Sequence, residues 1–346
     1  MLTPTILTKA IAILSSKVFG DYDSRMSNYG AISSMNYAPN FINPSEITRL
    51  RTAPSRPVSI EYLPKQVYTG APGTLACDFT AIDTTSTTAT LVWENWVPTN
   101  GFRLVKENYS NNTIKYAEDL AHQIMSVQRS FYEYLDARIL AYYNTNRTQI
   151  NAYSLFNAAP DAVEVPAIDR NTLFYKIKTM METNDFSADD NVFIANTEII
   201  ELLTFLQAQG SSNATNFAYQ FAGLDVLRSN RLLPTAGSKY TGFAFPKGSV
   251  ALVEWNTARH KVQNGAAEYL IGRDYWTEIA DPMFGNLFSW SLHYKASCQD
   301  GAFADYSPTA VPSYVEKFQL SVDFSLFKPT ISPATFSNIF KVEALS

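Results

Sequence analysis

Three histidines, two cysteines and a scatter of carboxylates are the residues of this 346-residue chain with which chemistry could be done. His122, His260 and His293 have no second His or Cys at metal-ligand spacing. His122 falls within a stretch of helical period and His293 on the polar side of an alternating run, so solvated or structural roles account for both. Cys77 and Cys298 are far apart and make no redox motif or disulfide framework, which favours folding in a reducing compartment. Asp189 and Asp190 precede an apolar run, and Glu198 and Glu201 open a helical pattern, where the helix dipole favours negative charge. No nucleophile elbow, phosphate loop or dinucleotide fingerprint is present in the sequence. A catalytic, metal-binding or cofactor-binding set is therefore not expected. An α+β enzyme whose site assembles from scattered residues stays open as an alternative.

Composition turns attention from chemistry to contact. The chain holds 22 Phe and 20 Tyr, while charged residues make up only 17%, below the usual quarter. Large amphipathic rings on a weakly charged surface suit subunit packing, although a β-rich monomer would share this composition. A net charge of −5 argues against a dedicated nucleic-acid binder. Arg49, Arg51 and Arg56 cluster near one another, and ordinary solvated charge explains them better than a polyanion does. No leader is expected at the start, because the apolar stretch around "AIAIL" is short and lacks a basic flank. No run approaches the ~18 apolar residues that a membrane span requires. A soluble protein made in the cytoplasm is expected.

The elements that would position these residues follow from periodicity. Residues 1–56 read as an arm, with a short amphipathic helix at Ile6, Leu7, Ala10, Ile11 and Leu14 and then an irregular stretch. Residues 57–97 read as an extended hairpin: Val58, Ile60 and Tyr62 alternate, a Gly/Pro/Thr-rich middle follows, and "ATLVWENWV" returns with Trp93 and Trp96. Leu120, Ile124, Val127, Phe131, Leu135, Ile139 and Tyr142 form one stripe, predicting a helix over 113–143 with N-cap candidates in "NYSNN". Phe284, Phe288, Trp290, Leu292 and Tyr294 alternate with polar residues, as do Phe318, Leu320, Val322, Phe324 and Leu326. These predict two strands with one dry face each, across which the long helix would lie. Residues 98–164 and 281–346 would make this unit, and 165–280 a second one inserted in it. Within the insert, "KYTGFAFPKGSVALVEW" reads as a hairpin of two buried runs around a type I turn at Pro246 and Lys247.

This order of parts resembles the major capsid protein of tailed bacteriophages, whose fold is shared with herpesvirus shells and encapsulins. The run "GLDVLRSNRLLP" followed by "GFAFPKGSVALVEW" is similar to the family's axial domain, and "GFRLVKENYSNNTIKYAEDL" to its approach into the spine helix. The resemblance implies an α+β chain with an N-terminal arm, an extended β-hairpin loop, a spine helix with a peripheral sheet, and an inserted α/β axial domain. It further implies a non-enzymatic virion subunit, assembling with itself into pentamers and hexamers of an icosahedral head. Portal, scaffold or decoration proteins and weakly held double-stranded DNA would be its partners, and a bacterial cytoplasm its place of synthesis. No membrane partner and no cofactor are implied. An encapsulin-like compartment is the alternative on the same fold. Candidate subunit contacts are Trp93, Trp96 and Tyr62 on the hairpin, Arg49 and Arg51 beside it, and Pro246 and Lys247 in the turn. The hairpin's tryptophans and the late amphipathic strands are expected to need cover from neighbouring copies.

Overall fold

The computed structural model describes residues 4–15, 28–62, 87–109, 112–148, 156–157, 162–187, 189–209, 220–221, 223–234, 238–255, 274–280, 288–298, 314–329 and 337–345. Cys77, His260, Phe284, the middle of the extended hairpin and residues 16–27 of the arm lie outside these residues. In chain order the helices are α1 (Pro4–Ser15), α2 (Gly30–Ser33), α3 (Pro44–Thr52), α4 (Thr113–Thr145), α5 (Leu173–Thr183) and α6 (Thr197–Gln209). The early strands are β1 (Ser59–Tyr62), β2 (Thr87–Thr90), β3 (Glu94–Trp96), β4 (Phe102–Val105), β5 (Phe156–Asn157), β6 (Ala162–Val165), β7 (Asn191–Ala195) and β8 (Gln220–Phe221). The later ones are β9 (Leu224–Arg228), β10 (Ser238–Pro246), β11 (Ala251–Trp255), β12 (Asp274–Ala280), β13 (Ser289–Cys298), β14 (Tyr314–Phe327) and β15 (Phe340–Leu345).

Helix α4 is the frame of this α+β fold. Asn112 caps it, its side-chain oxygen accepting from the Lys115 N–H at 3.1 Å, and Asn146 closes it by donating to the Tyr142 carbonyl. Its 33 residues span about 50 Å at 1.5 Å per residue. The apolar stripe is buried as its spacing requires, with Leu120, Ile124, Phe131, Leu135 and Ile139 fully covered. One part of the stripe meets the dry face of a six-stranded sheet built on β14, through Phe288, Trp290, Leu292, Phe318, Leu320 and Phe324. Toward the helix C-terminus, Tyr143 packs on Phe243 and Phe245 of a second sheet.

That second sheet has seven strands in the order β5-β6-β15-β10-β7-β9-β8. Helices α5 and α6 cover its other face, where Phe193, Ala195 and Ala244 join Phe174, Ile177 and Leu203. Val192, Ile194, Phe243 and Phe245 point to the α4 side instead. Burial on both faces explains why "NVFIA" and "GFAF" carry no polar alternation.

Sheet membership differs from the sequence reading in three places. The opening and closing runs of "KYTGFAFPKGSVALVEW" do not pair with each other. β10 lies between β15 and β7, while β11 pairs with β14 in the helix-backed sheet. The turn at Pro246–Gly248 is thus a crossover between two sheets, not the tip of a hairpin. The C-terminal β15 and the short β5 and β6 belong to the inserted sheet rather than the peripheral one, and β11 and β12 the reverse. Apolar content reports that a strand is buried; it carries no record of which distant strand will bury it.

Candidate functional site

Three neighbourhoods gather the polar and aromatic residues that the sequence singles out. The first is the root of the extended hairpin. β1 and β2 pair antiparallel from Ser59↔Thr90 to Tyr62↔Thr87, and the chain then leaves the ribbon at Leu91. Trp93 therefore sits below the ribbon, its indole N–H donating to the Pro57 carbonyl. Trp96 lies on β3, which pairs with β14, and its ring packs 5.1 Å from Phe131 and edge-on to Trp290 at 6.2 Å. Tyr62 is buried against Phe327 in a small core with Ile42, Leu50, Ile60 and Val253. The expectation that the tryptophans project toward a neighbour is corrected: both turn back onto their own chain. The late strands β13 and β14 likewise find cover in α4 of the same chain. What the root does expose is Val58 and Val92, each with 74% of its surface open. Their backbones adjoin, the Leu91 N–H donating to the Val58 carbonyl at 3.0 Å.

The arginines beside the hairpin also act within the chain. Arg49 grips Glu46 on the exposed face of α3 and lowers that carboxyl's pKa through its hydrogen bonds. Arg51 approaches Glu254 at 3.4 Å, and Arg56 approaches Asp323 at the same distance. Arg138 of α4 holds Glu94 of β3, the guanidinium keeping that carboxyl below the usual range.

The second neighbourhood is the crossover turn, where Pro246 and Lys247 are placed under a strap formed by residues 28–43. Lys247 Nζ pairs with Asp225 at 2.6 Å and Asp190 at 3.4 Å, and lies 5.2 Å from the centre of the Tyr37 ring. Tyr37 in turn donates to Asp225 at 3.0 Å. Gly248 has φ +69°, and a Cβ there would stand 2.4 Å from the Ala38 carbonyl oxygen. Only glycine lets the strap cross so close to the turn. Lys247 is thus engaged by its own chain, and Asp190 is its ion partner rather than half of an acid–base pair.

The third is a pair of buried carboxylates that the sequence reading passed over. Asp136, fully buried on α4, accepts from the Ala31 and Ile32 N–H groups at 3.0 and 3.3 Å and from the Ser229 hydroxyl at 2.6 Å. Burial pushes its pKa up to about 6, against the opposing pull of these donors and of Arg231. Its position between Tyr132, Ile139 and Tyr143 was the available signal: a carboxylate on an apolar helix face. Glu316, also fully buried, receives the hydroxyls of Tyr116 and Tyr294, the latter at 2.8 Å. Burial first, and Glu316 next, raise the Tyr116 phenol far above its normal value. Both carboxylates have their donors arranged around them as fasteners between segments, with α2 and β9 held to α4 by the first and β13 and β14 to α4 by the second. Among the described residues, no group of three or more His, Cys, Asp or Glu is placed to hold a metal ion, and no helix is long and apolar enough to cross a membrane.

No family model and no curated relative matches this chain. Solved structures do resemble it. The capsid of an empty GTA particle is 12% identical over 88% of this chain and 91% of its own, with a TM-score of 0.46. The capsid of cyanophage A-1(L) is 12% identical over 88% and 93%, with a TM-score of 0.43. The head of Helicobacter pylori bacteriophage KHP40 is 8% identical over 83% and 84%, with a TM-score of 0.40. Each of the three is a capsid or head structure.

Proposed function

We propose that this chain is the structural subunit of a closed protein shell, the major capsid protein of a tailed-phage head. The observation that carries the reading is the β1–β2 ribbon. Glu61, Thr87, Thr88 and Thr90 are exposed along it, and Val58 and Val92 stand open at its root. A two-stranded ribbon is marginal in water by itself. One that packs on its own body through Ile60 and Tyr62, and leaves its other face open, is suited to lie under an adjacent copy. The frame behind it supports the same reading: one long helix backs two sheets, and the strap locks their junction, so load applied at the ribbon is passed to a stiff body.

Pentamers and hexamers of this subunit would close the shell, with a portal and scaffold or decoration proteins as further partners. Double-stranded DNA would be enclosed without strong attachment, and the subunit would act without catalysis. Synthesis would take place in a bacterial cytoplasm and the final location would be the virion. Sedimentation of the purified protein with Val58→Asp and Val92→Asp tests the ribbon's role. The paired substitution is expected to leave a folded subunit that no longer forms large particles. A variant that assembles like the parent would refute the contact.

A further inference from the structure

The outer face of the helix-backed sheet is covered at one end and open at the other. Around Ser321, Asp323 and Ser325 it is buried beneath neighbouring segments. At the opposite end, the register sets Arg103 of β4 against Lys317 of β14, and Lys317 against Lys295 of β13. Three cations therefore stand side by side across three strands, all exposed. Adjacent strands are about 4.8 Å apart. Like charges directly opposite one another destabilise a sheet. Among the described residues none of the three forms an ion pair, and Asp274 lies opposite Lys295 at the edge of the row. Next to the row lies a depression of about 450 Å³, with Gly101, Gln319 and His293 completing its rim and Phe102 stacked on Phe318 at 5.0 Å in its lining. Gly101 presses so close to β14 that a Cβ would meet the Phe318 carbonyl oxygen at 2.4 Å, which keeps that side of the depression open.

We infer that this cationic dish binds the phosphodiester backbone of a nucleic acid, with Arg103, Lys317 and Lys295 meeting successive phosphate oxygens. A chain of net charge −5 has no general reason to draw polyanions, so the attraction is local to this row. The dish is shallow, with three cations in a row and the hydrogen-bonding Gln319 and His293 on its rim. Such a surface suits a uniform, repeating anion better than an acidic peptide. It would grip weakly and without regard to sequence, since phosphate contacts position a nucleic acid but do not read it. The shell reading enters only in naming enclosed DNA as the natural source of phosphate.

Fluorescence anisotropy of a labelled DNA duplex with the purified full chain provides the test. Binding is expected to weaken with salt at a log–log slope of about −2.7, the value for three neutralised phosphates. Replacing all three (Arg103→Gln, Lys295→Gln, Lys317→Gln) should weaken binding at least tenfold and abolish the slope, with the thermal midpoint unchanged or raised. A control with the same change in charge, Arg49→Gln, Lys178→Gln and Lys239→Gln, should retain most of the affinity. Equal loss in both variants, a lowered midpoint in the first, or equal competition by polyglutamate would overturn the site. Absence of duplex binding by the parent protein would overturn it too, whether or not particles form, whereas absence of particles bears on the shell reading alone.

Discussion

The Ser229 hydroxyl donates to the Asp136 carboxylate at 2.6 Å, joining the end of a strand in the inserted sheet to the C-terminal third of the long helix. The other carboxylate oxygen of Asp136 takes the N–H groups of Ala31 and Ile32. One buried side chain thus fixes the arm, the helix and the second sheet in a single arrangement. Arg231 and Glu133 face the same region around Tyr29, and Tyr143 lies two turns further along the helix.

Asp136 should make stability fall as pH rises between about 4 and 6. Its folded pKa of about 6 exceeds the unfolded value, so in that window the native state holds a proton that the unfolded chain has released. Stability then declines with pH until both states are ionised, and stays level above. Two pKa units correspond to about 3 kcal/mol. Asp136→Asn keeps an oxygen for Ala31 and Ile32, and the Ser229 hydroxyl can turn to accept. Urea unfolding from pH 4 to 8 should show this component of the slope removed in the variant. Glu46 and Glu94, whose lowered pKa values act in the opposite direction, are common to both proteins and cancel in the comparison. Identical slopes would show that Asp136 does not titrate in this range.

The two tryptophans should behave differently from projecting contact residues. Trp96→Ala removes a half-buried ring packed on Phe131 and Trp290, and is expected to destabilise the subunit by about 2–3 kcal/mol, less than a fully buried Trp would cost. Trp93→Ala loses a partly buried ring and one hydrogen bond to Pro57, and should cost less. Chemical denaturation of the single variants checks this order. A Trp96→Ala subunit as stable as the parent would mean that its ring is not part of the core.

This difference marks where sequence reading succeeds and where it stops. The spine was legible because Leu120 to Tyr142 lie along one helix, and their period needs no partner to be read. The dry faces of β13 and β14 were legible for the same reason, through alternation from Trp290 to Tyr294 and from Phe318 to Phe324. Partner choice was not. β10 and β11 are neighbours in sequence with matching apolar character, yet one joins β15 and β7 and the other joins β14. Closeness to β2 in sequence puts Trp96 on the ribbon, whereas pairing of its strand with Val322 sets it against the core. The row of Arg103, Lys317 and Lys295 exists only through strand register, which sets Arg103 beside a lysine more than 200 positions further along the chain.

The crossover turn should be intolerant of any side chain at position 248. Gly248→Ala places a Cβ 2.4 Å from the Ala38 carbonyl oxygen in a left-handed backbone. Backbone on one side and strain on the other leave no cheap relaxation, and a loss of about 2 kcal/mol or more is expected. Limited proteolysis should then cut first within the strap around residues 37–43, because the strap is what must move. Unchanged stability would show that the strap is not held against this turn.

Electron microscopy of the purified chain under native conditions tests the central claim most directly. The account predicts closed particles of megadalton mass built from rings of six and five subunits. A folded 38.7 kDa monomer that forms no particles across changes of salt, pH and concentration would contradict it.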